Sequence, residues 1–584
     1  MTQVPAPTAL PPRAPWRTRG WFLVLGLAHS ALLLLAFEPV NLWWLAFVAL
    51  IPLLIAAGKG PISIPHALLL WVGAWPFMAI HHIFIADISA PGYVPMFLYL
   101  SMWSAAFVWL FSRCPARFPR IPSWIAVPVL WTSLEMLRAQ VLFDGYGWFL
   151  LGQPLIRSTI AAAPGAFVGL FGVSFLVALV SAAAFTECRA RTCTLSRASI
   201  PVLAGAGLWA LANFMPIDDS GAHRIRVSVV QTNVPQSNKL NWSAETAVRD
   251  FDRLCELTTI AARDKPDLVV WPETMCPTWV LTDAQVQETR ALLGRHPTLL
   301  GLNNYIAFGQ IVRGLSEKLG LAILVGQETI TGLEFVESAG DVTRTYAAKY
   351  NSAYLVDQGI VAAQRYDKLL LTPFGETIPY LRAWPWLRDQ LLAFAARGMK
   401  VDLSTGTNPT VFRVNIPAGQ IRVVTPICFE ATDAQLCRYL VYGARALELG
   451  CGTRRADLLV GMTNDGWFGD WNPGRAHHLQ LAQWRCLELG TPMARAANTG
   501  ISAFIDARGR LLSPDATAPD HIPASTSGRD GVMTFDLRTI NGPTMYGRLG
   551  NVVGWGSLAA TGFGFGWLVL SALAGRPSTK PKGT

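Results

Sequence analysis

Apolar residues follow two different rhythms along this chain. Long, nearly unbroken apolar runs occupy Gly20 to Phe37, Asn41 to Ala57, His66 to Ala86, Val94 to Ser112, Ile121 to Phe143, Pro164 to Phe185 and Ile200 to Met215, and an eighth runs from Val552 to Ala574. A helix needs about 20 such residues to cross a hydrocarbon core of ~30 Å, so the runs predict about seven membrane helices before residue 216 and one after residue 551. The second and seventh runs are short. Between these blocks the pattern changes. Ile225 to Val230 alternates apolar and polar positions like a half-buried strand, and Ser243 caps a run in which Val248, Phe251, Leu254 and Leu257 recur at helical spacing. Leu268 to Trp271, Leu321 to Gly326, Ile421 to Ile427 and Leu458 to Met462 read as further strands. Asp283 to Arg295, Ala431 to Leu449 and Gly474 to Leu489 read as helices. Strands interleaved with helices predict sheets covered by helices. The Gly- and Leu-rich stretch from Arg295 to Gly320 falls outside this pattern and reads as an insertion.

Composition agrees with a membrane protein: 52% of residues are hydrophobic and 15% charged, against about 25% charged in soluble domains. The net charge of +10 invites a nucleic-acid reading, which its distribution removes. Residues 1–216 carry twelve basic and five acidic side chains, residues 551–584 three basic and none acidic, and the middle is balanced at thirty-three of each. The excess therefore belongs to the membrane parts, where Lys and Arg mark cytoplasmic loops. With the N-terminus inside, Arg13, Arg17, Arg19, Lys59, Arg113, Arg117, Arg120, Arg189, Arg191, Arg197, Arg576, Lys580 and Lys582 fall on the cytoplasmic side, and Arg157 alone lies outside before the large domain. The expected layout is a cytoplasmic tail over 1–19, a membrane domain over 20–216, an extracytoplasmic α/β domain over 217–550, a transmembrane helix over 551–574 and a cytoplasmic tail over 575–584. Glu135 and Arg138, three apart on the fifth run, are expected to neutralise each other inside the bundle.

Three segments at predicted strand ends carry chemistry. Leu268-Val-Val-Trp-Pro-Glu-Thr274 delivers Glu273, Tyr366-Asp-Lys-Leu-Leu-Leu-Thr-Pro-Phe-Gly-Glu376 delivers Lys368 and Glu376, and Val424-Thr-Pro-Ile-Cys-Phe-Glu430 delivers Cys428 and Glu430. Any one of these residues alone has an ordinary structural explanation. Together they supply a base, a cation and a nucleophile. A thiol between a strand and a helix suits nucleophilic work, because a helix N-terminus lowers its pKa and leaves it accessible. Cys276 is the rival nucleophile and lacks that setting. The Cys and His residues outside the motifs show no metal-ligand spacing, so no metal is expected.

The order W-P-E, K-x7-E around P-F-G, and C-F-E resembles the nitrilase superfamily, which implies a Glu-Lys-Cys triad on an α-β-β-α sandwich. Seven preceding spans and one following span narrow the resemblance to the apolipoprotein N-acyltransferases of bacterial envelopes. Further matching stretches are Gln231-Thr-Asn-Val-Pro-Gln236, Thr463-Asn-Asp-Gly-Trp-Phe-Gly469 and Arg495-Ala-Ala-Asn-Thr-Gly-Ile-Ser502. The resemblance implies transfer of a fatty acyl chain from a phospholipid to the α-amino group of a diacylglyceryl-cysteine at a lipoprotein's N-terminus, without a cofactor. Glu273 would be the base, Lys368 the oxyanion partner and Cys428 the thioester-forming nucleophile, with Glu376 and Glu430 in support. Both substrates are lipid-anchored, so Trp242, Trp384, Trp386 and Trp467 are candidates for a hydrophobic mouth, and Leu381 to Lys400 for a lid. Two alternatives remain: a membrane-tethered amidase that passes the thioester to water, and a non-enzymatic membrane scaffold.

Charge asymmetry predicts that a reporter fused after Met215 is active outside the cytoplasm and one fused at the C-terminus is active inside. Cytoplasmic activity of the Met215 fusion would reverse the orientation.

Overall fold

The computed structural model describes residues 16–190, 199–214, 222–235, 243–338, 341–378, 403–443, 454–523 and 526–574, with Tyr380, Trp386 and Gln390. Its extramembrane half contains two six-stranded sheets and a hairpin. In chain order the strands are β1 (Arg224–Gln231), β2 (Leu268–Val270), β3 (Ala322–Thr331), β4 (Glu334–Ser338), β5 (Asp341–Thr345), β6 (Ala348–Asp357), β7 (Ile360–Asp367), β8 (Phe412–Ile416), β9 (Gly419–Val424), β10 (Leu458–Thr463), β11 (Met493–Ala497), β12 (Ala503–Ile505), β13 (Leu511–Leu512) and β14 (Gly531–Arg538). The first sheet runs β14-β1-β2-β3-β6-β7 and the second β13-β12-β11-β10-β9-β8, while β4 and β5 pair separately. Each large sheet has three parallel strands at its centre, β1 to β3 and β9 to β11, and antiparallel strands on its flanks.

Alternation along the strands makes the sandwich. Val227, Val229, Leu268, Val270 and Leu324 turn inward and share one core with Val414, Ile421, Val423, Leu458 and Val460 of the other sheet. Their neighbours Val230, Val269, Ile323 and Val325 turn outward onto Phe251, Leu254 and Leu257 of the helix Ala244–Ala262 and Val312 of the helix Leu302–Leu319. Side chains one apart on a strand face opposite ways, so each central strand of the first sheet is apolar on both sides. The helix Leu302–Leu319 corrects the reading of Arg295 to Gly320 as an insertion. It belongs to the covering layer, and its Gly309 reflects close packing: a Cβ there would lie 2.0 Å from the Val280 carbonyl oxygen.

In the membrane half, Ile64–His81, Ala90–Arg117 and Gly165–Cys188 are long and apolar enough to cross a bilayer, and Gly20–Ala36, Trp43–Ala57 and Val202–Phe214 are shorter apolar helices. The second apolar run is not one continuous α-helix. It is a 3-10 turn over Trp43–Val48 followed by the helix Ile51–Ala57, which opens at Pro52. Seven residues rise only about 10 Å. Glu135 and Arg138 are both buried, yet their hydrogen bonds go to other groups. Glu135 Oε1 accepts from Trp131 Nε1 at 2.9 Å and Leu151 N at 2.7 Å, and Arg138 Nη2 donates to Phe149 O at 3.4 Å. The two charges act on each other as expected, and together they also pin the loop that follows their helix.

A long helix packs against both halves. Asn472–Leu489 lies against the second sheet through Leu479, Ala482 and Cys486, and against the membrane bundle through Leu481, Trp484 and Leu487. Trp484 Nε1 donates to Gln153 O at 2.9 Å, and Leu170 N donates to Glu488 Oε1 at 2.7 Å. The second bond falls where the helix Gly165–Ala190 is kinked at Gly169, with φ of 69° and ψ of 179°. A Cβ there would lie 2.4 Å from the Tyr546 ring. Gly169→Ala is therefore expected to destabilise the protein by about 1–3 kcal/mol, measured as a lower thermal midpoint in detergent. An unchanged midpoint would show that this joint is loose.

Candidate active site

Each motif residue lies just beyond the C-terminal end of a strand, where α/β sheets leave open backbone and a crevice. Glu273 follows β2, Lys368 follows β7 directly, and Cys428 follows β9 after Thr425, Pro426 and Ile427. The structure brings these three side chains together. Lys368 is completely buried, with Nζ 2.7 Å from Glu376 Oε2, 3.0 Å from Glu376 Oε1 and 3.8 Å from Glu273 Oε1. Glu376 Oε2 also accepts from Thr372 N at 2.8 Å, which closes the Pro-Phe-Gly turn onto its own carboxylate. Asn351 Nδ2 donates to Glu273 Oε1 at 2.7 Å. Glu273 Oε2 is buried and has no hydrogen-bond partner among the described residues.

Glu430 holds the second and third motifs to each other. Its Oε1 accepts from Leu369 N at 2.6 Å and Leu370 N at 3.0 Å, and its Oε2 from Tyr366 OH at 2.9 Å and Ile427 N at 2.7 Å. Four donors saturate this carboxylate, so it braces the segments on either side. Left-handed backbone recurs in all three motifs: φ is +50° at Thr274, +60° at Phe374 and +52° at Cys428. Such residues cost about 1–3 kcal/mol each and persist where their surroundings fix them.

Charge and burial set the resting protonation. Burial opposes the charged form of Lys368, but Glu376 and Glu273 outweigh it and hold the ammonium above the ordinary lysine value. Burial raises the Glu376 carboxyl, and Lys368 with Thr372 brings it below its usual range. The Cys428 thiol is pushed up to about 12, first by burial and then by Glu273, with Lys368 pulling the other way. This corrects the expectation of a thiol activated by a helix N-terminus. Cys428 opens only the five-residue 3-10 turn Cys428–Thr432, and its desolvation dominates. The resting sulfur is therefore a protonated thiol. Burial also pushes Glu430 up to about 7, against its hydrogen bonds.

The remaining candidates separate. Cys276 is buried with Trp271 and Leu254 on the outer face of the first sheet, and burial raises its thiol further. Trp386 is 71% exposed, and Trp467 is half-buried in the 3-10 turn Asp465–Phe468. Trp242, Trp384 and most of Leu381 to Lys400 lie outside the described residues. The aromatic contact from the catalytic turn to the membrane half comes from residues not singled out in the sequence. Phe374 lies 6.2 Å from Phe143, whose ring is 5.6 Å from Tyr380 and 5.2 Å from Tyr99. The roles of Asn351 and Tyr366 were also missed. Neither has a local signal, because their partners Glu273 and Glu430 are 78 and 64 residues away.

Glu376→Gln removes one of the two carboxylates that neutralise a buried ammonium, at an expected cost of about 3 kcal/mol. A carboxyl held below its usual value stabilises the fold above that value and loses the contribution as pH falls through its folded pKa. The gap in thermal midpoint between wild type and Glu376→Gln should thus be widest near neutrality and close as pH drops below about 4.5. A gap independent of pH would dissociate Glu376 from Lys368.

Comparison with known proteins covers both halves. The family described as "Apolipoprotein N-acyltransferase N-terminal domain" matches residues 29–183, and that described as "Carbon-nitrogen hydrolase" matches residues 226–520. The apolipoprotein N-acyltransferase of Rhodopseudomonas palustris is 27% identical over 91% of this chain and 92% of its own. That of Geobacter metallireducens is 26% identical over 95% of each. An amidase of solved structure from Nesterenkonia sp. is 16% identical, covering 55% of this chain and 92% of its own, with a TM-score of 0.32. Since both families match in order and the two acyltransferases align along more than nine-tenths of the sequence, the chain belongs to the carbon-nitrogen hydrolase, or nitrilase, superfamily and within it to the apolipoprotein N-acyltransferases.

Proposed function

We propose that this enzyme N-acylates lipoproteins by moving a fatty acyl chain from a membrane phospholipid to the α-amino group of an N-terminal diacylglyceryl-cysteine, through a thioester on Cys428. The observation that carries this reading is Lys368 Nζ, held between Glu376 and Glu273 without exposure to water, close enough to the Cys428 thiol for its charge to act on it.

In the first half-reaction Glu273 Oε2, left free by the bond of Asn351 to Oε1, takes the thiol proton. The thiolate attacks the ester carbonyl, and the oxygen that gains negative charge faces Lys368 Nζ. Removing a donor of this kind costs about 10²–10³ in rate. As the tetrahedral intermediate collapses, the carbon–oxygen bond breaks and Glu273 returns its proton to the departing alkoxide. A lysophospholipid leaves and a thioester remains. In the second half the amine attacks the thioester carbonyl, Lys368 again faces the oxyanion, and the amine proton passes through Glu273 to the departing thiolate. The ester is the acyl source, so no step calls on a nucleotide or coenzyme.

Both substrates are lipid-anchored, and the catalytic turn faces the membrane half through Phe374 and Phe143, which are 59% and 37% exposed. These rings form the mouth in this reading. The excess of Lys and Arg on the other side of the spans supports placing the catalytic half outside the cytoplasm of a bacterial inner membrane.

Purified protein given phospholipid without acceptor should accumulate an acyl chain on Cys428 that hydroxylamine removes. Addition of a diacylglyceryl peptide should also discharge it and yield the N-acylated peptide. Cys428→Ser should abolish turnover, whereas Cys276→Ser should keep most of it. Mass analysis that places the adduct on Cys276, or transfer without any adduct, would overturn the assignment. Release of free fatty acid with the peptide amine unmodified would point to an amidase-like hydrolase.

A further inference from the structure

The carbonyl group of Cys428 is held by a side chain that has no part in the steps above. His478 is 2% exposed on the helix Asn472–Leu489. Its Nε2 lies 3.2 Å from the Cys428 carbonyl oxygen, and its Nδ1 lies 2.8 Å from Asp465 Oδ1. Asp465 has no exposure and is fixed from two further sides. Arg495 Nη2 donates to its Oδ2 at 3.0 Å and its Oδ1 at 3.3 Å, and the Thr463 hydroxyl donates to Oδ1 at 3.0 Å. Thr463 closes β10 and Arg495 lies on β11. The assembly is therefore built on the two parallel strands beside β9, which delivers Cys428. Trp148 and Phe468 cover the imidazole, with ring centroids 5.6 Å and 6.1 Å away.

The backbone of Cys428 explains why one carbonyl matters. With φ of +52°, this residue sits in a region that a side chain with a Cβ leaves readily unless its neighbours hold it. Relaxation rotates the chain about the N–Cα bond, which carries Cβ, sulfur and the carbonyl group together relative to Ile427. Ile427 N is already bonded to Glu430 on one side of the residue. A donor on the carbonyl fixes the other side, so rotation toward ordinary φ breaks at least one of the two bonds. A sulfur displaced by about 1 Å loses about 10² in rate.

We propose that His478, oriented by Asp465 and Arg495, is a positioning residue that locks Cys428 in its left-handed conformation and so aims the sulfur at the ester carbonyl beside Lys368. It touches neither substrate nor sulfur. The inference rests on Cys428 being the nucleophile.

The test compares two variants of similar length. His478→Gln keeps an N–H near the position of Nε2, and His478→Met keeps the bulk without a donor. Full-length protein in detergent is mixed with phosphatidylethanolamine carrying a labelled acyl chain, below the melting temperature of both variants. Single-turnover formation of the Cys428 thioester is followed by mass analysis. The Met variant is expected to acylate about 10- to 100-fold more slowly than wild type, with the half-saturating lipid concentration unchanged. The Gln variant should recover to within about fivefold of wild type. Equal rates for the two variants would overturn the proposal, as would a loss that lies wholly in the half-saturating concentration. Failure of the underlying reading looks different, because wild-type protein itself would then carry no acyl group on Cys428.

Discussion

An ammonium group shut off from water must be neutralised where it lies, and the centre of this protein is arranged around that requirement. Lys368 has no exposure, and an isolated charge in such a place costs several kcal/mol. Its compensation comes from two different elements, Glu273 beyond β2 and Glu376 at the end of the Pro-Phe-Gly turn. With both carboxylates ionised the trio carries one net negative charge. In the proposed mechanism, proton transfer from the Cys428 thiol to Glu273 moves that charge from oxygen to sulfur without changing the total around the lysine. On that proposal the cation stays compensated in the resting state and in the thiolate state, and it is in place when attack moves the charge from sulfur to the substrate oxygen.

This arrangement depends on backbone conformations that the chain would not adopt unaided. Thr274, Phe374 and Cys428 all sit at positive φ, one in each motif. The bracing is correspondingly dense: Glu430 gathers four donors from the lysine and cysteine segments, and Thr372 closes the turn onto Glu376. Strain spread over three segments needs support from each of them, which explains why the fully buried Glu430 carboxylate spends all its acceptors on backbone and Tyr366 donors.

The same constraint reaches the membrane half through the helix Asn472–Leu489. One side of it packs on the second sheet, the other packs on the bundle, and it carries His478 beneath the nucleophile. Its position therefore couples nucleophile geometry to the seating of the sandwich on the bundle. On the proposed reaction, that seating sets the depth at which a lipid ester meets the sulfur. Glu135 and Arg138 contribute to it at a distance, by pinning the loop that carries Trp148 and Phe149 against His478 and His477.

Local order along the chain already determined the two-part architecture, the strand-and-helix alternation of the middle domain and the three motif segments. Those signals are local: apolar run length reports on a bilayer, period reports on secondary structure, and a strand end places a side chain in a crevice. Tertiary structure decided what depends on distant partners and on exclusion of water. The stretch from Arg295 to Gly320 read as an insertion until the helix Leu302–Leu319, with Gly309 close against Val280, placed it in the covering layer. Glu135 and Arg138 read as a charge pair, and packing added that they also hold the loop after their helix. The Cys428 thiol read as lowered by a helix N-terminus, whereas desolvation of the half-buried residue and the nearby Glu273 push it up. Asn351 on Glu273 and His478 on Cys428 join residues 78 and 50 positions apart. Hydrogen bonding across such separations and desolvation both arise only when the two sheets and the bundle pack, so no local spacing announces them.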